Sequence, residues 1–96
     1  MQKIFKYPIK ITDIQTIWMP QFALILDVQV QAGVPCLWAM VAENAVPEKR
    51  VIEIIGTGNP IDPGQRMYIG TFQDVPFVWH VFEYFAPSPN ETSIPI

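Results

Sequence analysis

The sequence predicts an all-β domain, a single small antiparallel sandwich or barrel of about seven strands. Three observations carry this prediction. Residues 24–31 alternate between apolar and polar side chains, which is the period of a strand with one buried face. The ten prolines and five glycines punctuate short apolar runs along the chain. No segment repeats its apolar residues with the helical period of about 3.6 over several turns.

The N-terminal stretch predicts two short strands. Residues 3–11 alternate between an apolar face and a face that carries lysine side chains. Pro8 lies on the lysine-bearing face and has no N–H to donate, so this strand belongs at the edge of a sheet. Thr12-Asp13 begins a turn through side-chain hydrogen bonds to the backbone. Residues 15–19 form the second strand, which Pro20 ends.

A hairpin follows, with strands over residues 24–31 and 35–43. Its turn lies at Ala32-Gly33, because a short hairpin turn needs a positive φ that glycine adopts readily. Pro35 begins the returning strand. The expected buried face of the first strand consists of Leu24, Leu26, Val28 and Val30. The returning strand is apolar on both faces, with Cys36, Trp38 and Met40 on one and Leu37, Ala39 and Val41 on the other.

The second half of the chain predicts three more strands, over residues 50–55, 66–73 and 76–85. The polar stretch before them, residues 43–50, has room for one helical turn at most. Gly56-Thr57-Gly58-Asn59-Pro60 ends the first of these strands, and Pro63-Gly64 is expected at the centre of a type II turn. We therefore assign residues 1–86 to a single β domain and residues 87–96 to an extended, proline-rich tail.

The composition predicts association between copies of the chain. Half of the residues are hydrophobic and 12% are aromatic, which excludes an intrinsically disordered protein. A domain of 96 residues buries only about two-thirds of the surface that its unfolded chain exposes. Some of the large apolar side chains must then line a pocket or an interface between subunits, and we expect a homo-oligomer.

Charge and cysteine content exclude several classes of protein. The formal net charge is −3 and the six cationic residues are scattered, which argues against general nucleic-acid binding. One cysteine excludes an internal disulfide and fits a reducing cytosol. No apolar run approaches the ~18 residues of a membrane-spanning helix, and no signal peptide is recognisable. We expect a soluble protein of the cytoplasm with no membrane partner.

Five blocks of the sequence resemble a family of small proteins that carry a domain of unknown function and occur mainly in bacteriophages and prophages. The blocks are PIKITDIQTIWMP, LDVQVQAGVPCLWAMV, IIGTGNPI, YIGTFQ and FVWHVFE, in that order, over residues 4–83. The resemblance implies a phage accessory protein with one β-rich domain that acts in the bacterial host cell. It transfers no catalytic residue. The positions it points to are Thr12, Asp13, Gln15, Pro35, Cys36, Trp38, Gly56, Thr57, Gly58 and His80.

The residue types that carry catalysis are scarce. The chain has one histidine and one cysteine, and Cys36 lies among apolar residues on a predicted strand, where a small buried side chain is the simpler interpretation than a reactive thiol. His80 is flanked by large apolar groups and fits either a hydrogen-bonded core or interface residue or a ligand contact. No metal-ligand spacing is present. We predict no enzyme activity, no metal and no cofactor.

The glycines of residues 56–60 suggest a binding loop, since exposed N–H groups in such a loop can hold an anion. A strand end that needs two flexible positions is the alternative interpretation. Arginine grips phosphate through two parallel hydrogen bonds, and two arginines lie at strand ends near this loop in the predicted hairpin. The candidate ligand-binding residues are Arg50, Thr57, Gly58, Asn59, Arg66 and His80.

Two functions remain open on the sequence. One is a phage counter-defence protein that sequesters a small anionic nucleotide used as a host immune signal. In that case the two arginines are exposed and contribute little to stability. The other is an inhibitor of a host protein, or a virion accessory component. Trp18, Trp38 and Trp79 are expected in the core, with base stacking by one of them as the alternative.

Overall fold

The computed structural model describes residues 1–87 and confirms the predicted all-β class. Seven strands form two antiparallel sheets, with the orders β1-β4-β3 and β2-β5-β7-β6. The strands are β1 (Gln2–Pro8), β2 (Ile14–Pro20), β3 (Leu24–Gln31), β4 (Val34–Ala42), β5 (Pro47–Gly56), β6 (Gly64–Asp74) and β7 (Phe77–Pro87). No helix long and apolar enough to cross a membrane occurs within residues 1–87. The predicted tail lies outside the described residues except for Pro87.

The β3–β4 hairpin has the turn that the sequence predicts. Ala32 and Gly33 both have positive φ values, 51° and 79°, and Gln31 pairs directly with Val34. Positive φ at both central residues is the type I′ geometry, whose twist matches that of the flanking strands. Pro8 ends β1, which pairs with β4 alone and is an edge strand as predicted.

The buried face predicted for β3 is correct only at Val28, since Val30 near the end of the strand is 43% exposed and the start of the strand also differs. A β-bulge between Ile25 and Asp27 inserts one extra residue, which shifts the alternation of side chains by one position. Leu24 and Leu26 are therefore 55% and 44% exposed, while Ile25 packs against the core and Val28 is buried.

The type II turn predicted at Pro63-Gly64 is also misplaced. Gly64 does not have a positive φ, and it begins β6. The positive φ occurs instead at Gly58, at 90°, where the Asn59 N–H donates to the Gly56 carbonyl oxygen over 3.1 Å. This is the type II geometry, and it occurs at the start of the β5–β6 connection instead of at its end. The stretch before β5 forms turns and no helix.

The core lies between the two sheets. The inner face of β4 contributes Leu37, Ala39 and Val41, and the second sheet contributes Ile52, Ile54 and Val81, all 4% exposed or less. Burying one such aliphatic side chain stabilises a fold by ~1.5–3 kcal/mol. Of the three tryptophans predicted in the core, Trp79 is half-buried and packs against it, whereas Trp18 is 60% exposed and Trp38 is half-buried outside the core cluster.

The two sheets adjoin along β3 and β6, where the backbones come close. A Cβ atom added at Gly70 of β6 would lie 2.8 Å from the Val28 Cγ1 atom of β3. Glycine is required there because no side chain fits between the strands. The other two sheet edges, β1 and β2, face away from this junction.

Candidate functional site

The six candidate residues do not form one site. Thr57 and His80 lie together at the end of β5, where His80 of β7 is opposite Ile55. Arg50 lies near the start of β5, about 20 Å from Thr57 at the rise of a strand. Arg66 lies on β6 opposite Tyr84, which is about 13 Å from His80 along β7. The two arginines do not converge as the sequence suggested, because β7 lies between their strands and their side chains are on opposite faces of the sheet.

Arg50 is held by acceptors of its own chain. Its Nε and Nη2 atoms donate to the two carboxylate oxygens of Glu83, and its Nη1 atom donates to the Ala23 carbonyl oxygen over 2.8 Å. The two side chains are only 15% and 9% exposed. The hydrogen bond to Glu83 raises the pKa of the Arg50 guanidinium above its ordinary value. Arg50 is thus a buried member of an ion pair in this structure, with its donor groups occupied.

Arg66 is paired in the same way on the opposite face of the sheet. Its Nε atom donates to a Glu53 carboxylate oxygen over 2.7 Å, and its Nη1 atom donates to the Asp62 carbonyl oxygen over 2.8 Å. The guanidinium also lies 5.4 Å from the centre of the Tyr84 ring. The hydrogen bond to Glu53 raises the pKa of Arg66. Neither arginine presents a free fork for a phosphate.

His80 stands in a short chain of hydroxyl groups. Its Nε2 atom lies 2.7 Å from the Thr57 hydroxyl, and its Nδ1 atom lies 3.0 Å from the Thr71 hydroxyl, which also bonds the Tyr68 hydroxyl. Thr71 and Tyr68 are not among the residues that the sequence pointed to. Strict alternation places residues 68 and 71 on opposite faces, but a β-bulge between Tyr68 and Gly70 brings them to the same face.

The loop after β5 has few free N–H groups. The Thr57 N–H donates to the Val78 carbonyl oxygen and the Asn59 N–H to that of Gly56, each over 3.1 Å. Gly56 is required for packing, since a Cβ atom there would lie 3.0 Å from the Trp79 ring. The loop is therefore a tight strand end, and it offers an anion at most the N–H of Gly58.

A pocket of about 430 Å³ lies beside this loop, and we call it the Trp79 pocket. Its lining residues are Gly56, Thr57, Asn59, Pro76, Phe77, Val78 and Trp79. The rings of Phe77 and Trp79 lie 5.6 Å apart. The Trp79 Nε1–H is buried and has no acceptor among the described residues. The volume falls in the range of small-molecule sites, ~300–1,000 Å³.

A second cavity of about 560 Å³, the Phe22 groove, lies at the other end of β5 and β7. The paired Arg50 and Glu83 side chains line it. Four large apolar side chains surround them and remain mostly exposed: Phe22 at 86%, Leu24 at 55%, Met67 at 62% and Phe85 at 55%. Exposed apolar side chains are ordinary singly, but a group of them around one groove indicates an interaction surface.

Phe22 also has an unfavourable backbone conformation. Its φ is 67°, and the Ala23 N–H donates to the Pro20 carbonyl oxygen over 3.1 Å, so Phe22 occupies the third position of a tight turn. Glycine is the residue favoured there, and a bulky side chain at positive φ is an outlier. The exposed ring and its backbone therefore both cost stability, a pattern that accompanies functional residues.

Cys36 and His80, the two residues considered as a nucleophile and its base, are not brought together in the described part of the chain. Cys36 is 2% exposed, with its Sγ atom 3.4 Å from the Val34 carbonyl oxygen. It lies on β4, and His80 lies on β7 of the other sheet, so the two do not form a nucleophile and base pair. Within residues 1–87 no group of three histidine, cysteine or carboxylate side chains is placed to hold a metal ion.

Comparisons with known proteins give one family. Neither the curated proteins nor the solved structures gave a significant match. A family model matches residues 1–92, which is nearly the whole chain of 96 residues. The fold described above is thus the fold of a member of that family, and the chain belongs to the family named Domain of unknown function (DUF7352).

Proposed function

We propose that this chain is a non-enzymatic binding protein whose partner is another protein, and that the partner inserts apolar side chains into the Phe22 groove. In the setting that the phage resemblance suggests, it acts as an accessory protein in the host cytoplasm and inhibits a host factor, as a counter-defence protein does. The single observation that supports this proposal best is the exposed, strained Phe22 at the rim of the groove.

The energetics of the groove support a protein partner. Binding energy at protein interfaces concentrates in a few aromatic and large apolar side chains that become fully desolvated. Phe22, Leu24, Met67 and Phe85 provide such a group around one concave surface. Covering Phe22 alone removes most of a phenylalanine side chain from water, which is worth ~1.5–3 kcal/mol.

The charges at the groove support an apolar partner surface over an anionic one. Arg50 is neutralised by Glu83, and Glu48 and Lys49 lie at the same groove with opposite charges. The Glu48 carboxylate also lies 3.9 Å from Arg50. The two acidic and two basic side chains that line the groove cancel in formal charge, so the groove has no net positive charge to attract a phosphate and does not disfavour an apolar segment.

The test compares two substitutions of equally exposed apolar residues. Phe22→Gly keeps the turn, because glycine accepts the positive φ, and removes the ring. Val75→Ser is the control, since Val75 is 84% exposed and lies outside the groove. A polypeptide captured by the wild type from bacterial lysate is purified and titrated calorimetrically. We expect Phe22→Gly to weaken its binding by at least about tenfold and Val75→Ser to leave it unchanged. If both variants bind the polypeptide equally well, the proposal that the partner binds at the Phe22 groove is refuted.

A small nucleotide-like ligand in the Trp79 pocket is the second candidate function. The pocket combines the rings of Trp79 and Phe77 with polar side chains of Thr57 and Asn59, and stacking of a base on an aromatic ring is worth ~1–3 kcal/mol. Because Arg50 and Arg66 are occupied, recognition rests on the base and sugar more than on phosphate.

Calorimetric titration with cyclic oligonucleotides and ADP-ribose derivatives tests this second candidate. Asn59→Ala is compared with Asn44→Ala, an exposed asparagine in the turn before β5 and outside the pocket. Binding that is lost only in Asn59→Ala supports nucleotide sequestration. If the wild type does not bind these ligands, or if both variants lose binding equally, nucleotide sequestration is refuted. The proposal of a protein partner then stands alone.

A further inference from the structure

We propose that two copies of this chain associate through the free edge of β2, so that the four-stranded sheets of both copies join into one continuous sheet. The Phe22 groove is not needed for this contact. The inference rests on three properties of β2: its unpaired edge, its lack of any protective feature, and the way its sequence pairs with itself.

β2 pairs with β5 on one side, and within residues 1–87 no strand pairs with its other side. The Ile54 N–H donates to the Asp13 carbonyl oxygen, so the polar groups of Asp13 point toward β5. Because these groups alternate along an antiparallel strand, those of Ile14, Thr16 and Trp18 point away from β5. They form a row of backbone donors and acceptors that a further strand can pair with.

The other sheet edges carry features that discourage pairing, and β2 does not. β1 has Lys3 and Lys6 and ends at Pro8, and β3 and β6 each contain a bulge and lie against one another. The sequence of β2, IQTIWMP, has no charged residue and no bulge, and its proline is the last residue. A flat edge without charge is a template for pairing, and soluble proteins normally protect it. β2 is therefore covered in the functional state.

A second copy of β2 fits this edge. In an antiparallel pair centred on Ile17, Thr16 of each copy lies opposite Trp18 of the other, and the outward backbone groups of the two residues bond each other. β-Branched and aromatic side chains are favourable neighbours across strands. Ile14 lies opposite Pro20, which lacks only an N–H and still accepts through its carbonyl oxygen. Because β2 carries no charge, the two copies do not repel each other along the seam.

The pairing also covers apolar surface that is exposed in one copy. Ile14 and Trp18 lie on the outer face of β2 and are 52% and 60% exposed. The indole of each copy packs beside Thr16 of the other across the seam. This accounts for an exposed tryptophan on a strand whose inner face already fills the core with Met19.

Two substitutions block the seam by different means. Thr16→Pro removes an N–H that points away from β5, so it disrupts pairing between copies and leaves the β2–β5 hydrogen bonds intact. Trp18→Glu places a carboxylate at the seam, opposite Lys49 of its own chain. The matched control is Ile4→Glu on the edge strand β1, since Ile4 is 61% exposed and Trp18 is 60% exposed.

Sedimentation velocity over micromolar concentrations measures the result, with circular dichroism to verify the fold of each variant. We expect a dimer for the wild type and Ile4→Glu, and dimerisation weakened by at least about tenfold for Thr16→Pro and Trp18→Glu. If Thr16→Pro fails to fold, Trp18→Glu decides. A wild type that stays monomeric overturns the proposal, as does a Trp18→Glu variant that dimerises like the wild type. If Ile4→Glu is the only variant that abolishes dimerisation, the interface lies at β1, and the proposal for β2 is refuted as well.

Discussion

Replacing Arg50 by alanine is expected to destabilise the fold strongly, although the sequence suggested an exposed arginine that contributes little. The structure overturns that expectation, because Arg50 and Glu83 are 15% and 9% exposed and share two hydrogen bonds. Arg50→Ala leaves the Glu83 carboxylate buried without its partner and frees the Ala23 carbonyl oxygen. Breaking a buried ion pair on one side costs ~3–5 kcal/mol.

Thermal unfolding measures this effect directly. For a domain of this size, 1 kcal/mol corresponds to roughly 4–8 °C in the midpoint, so Arg50→Ala is expected to lower it by at least about 12 °C. Glu48→Gln is the control, because Glu48 is 38% exposed and lies 3.9 Å from Arg50, and it is expected to change the midpoint by only about 2 °C. The double variant Arg50→Met, Glu83→Leu is expected to be more stable than either single charge deletion. A fall of less than about 4 °C in Arg50→Ala refutes the reasoning.

Three further predictions test the packing, the turn and the alkaline limit of stability. Gly70→Ala is expected to cost ~1–3 kcal/mol in urea denaturation, because its Cβ atom would lie 2.8 Å from Val28 Cγ1 in the closed core; an unchanged urea midpoint contradicts this. Phe22→Gly is expected to raise stability slightly, since it relieves the positive φ of a bulky residue, and a clear loss would mean that the ring packs in the free protein. Burial raises the pKa of the Tyr7 hydroxyl, so its contribution to stability is complete below pH ~10 and declines above it. Between about pH 8 and pH 11 the urea midpoint is expected to fall less in Tyr7→Phe than in the wild type. If the midpoints of both proteins fall equally with pH, Tyr7 is not a cause of the loss of stability at alkaline pH.

The sequence predicts the parts of this fold that depend on local chemistry. Alternation located seven strands, the Ala32-Gly33 pair specified the hairpin turn, and Pro8 identified an edge strand. Each of these features is encoded within a few neighbouring residues. β-Bulges are not predictable in this way, because a residue of any type can be the inserted one. The bulge in β3 exposed Leu24 and Leu26, whose spacing alone predicted burial.

The candidate site depended on contacts between distant residues, and these were less predictable. Arg50 and Glu83 are 33 positions apart, and they meet only because β5 and β7 are neighbours with Ile52 opposite Glu83. Arg66 and Glu53 meet in the same way on the other face. The sequence around an arginine at a strand end does not distinguish an arginine that binds a ligand from one that pairs with a carboxylate of its own chain. The register between strands distinguishes the two cases.

Pairing through β2 would also change how the Phe22 groove binds. Phe22 lies two residues after Pro20, the last residue of β2, so an antiparallel pair places one groove beyond each end of the seam, and the two Pro20 residues themselves are about 20 Å apart. A partner that carries two copies of its binding segment can then engage both grooves, and the second contact becomes intramolecular. Trp18→Glu separates the two effects, since it removes the seam and leaves Phe22 in place. We expect it to keep the affinity for a single segment and to lose at least about tenfold for a two-segment partner immobilised on a sensor surface. If Trp18→Glu loses the same affinity for the one-segment and the two-segment partner, Trp18 belongs to the groove contact itself. The bivalent arrangement is then refuted.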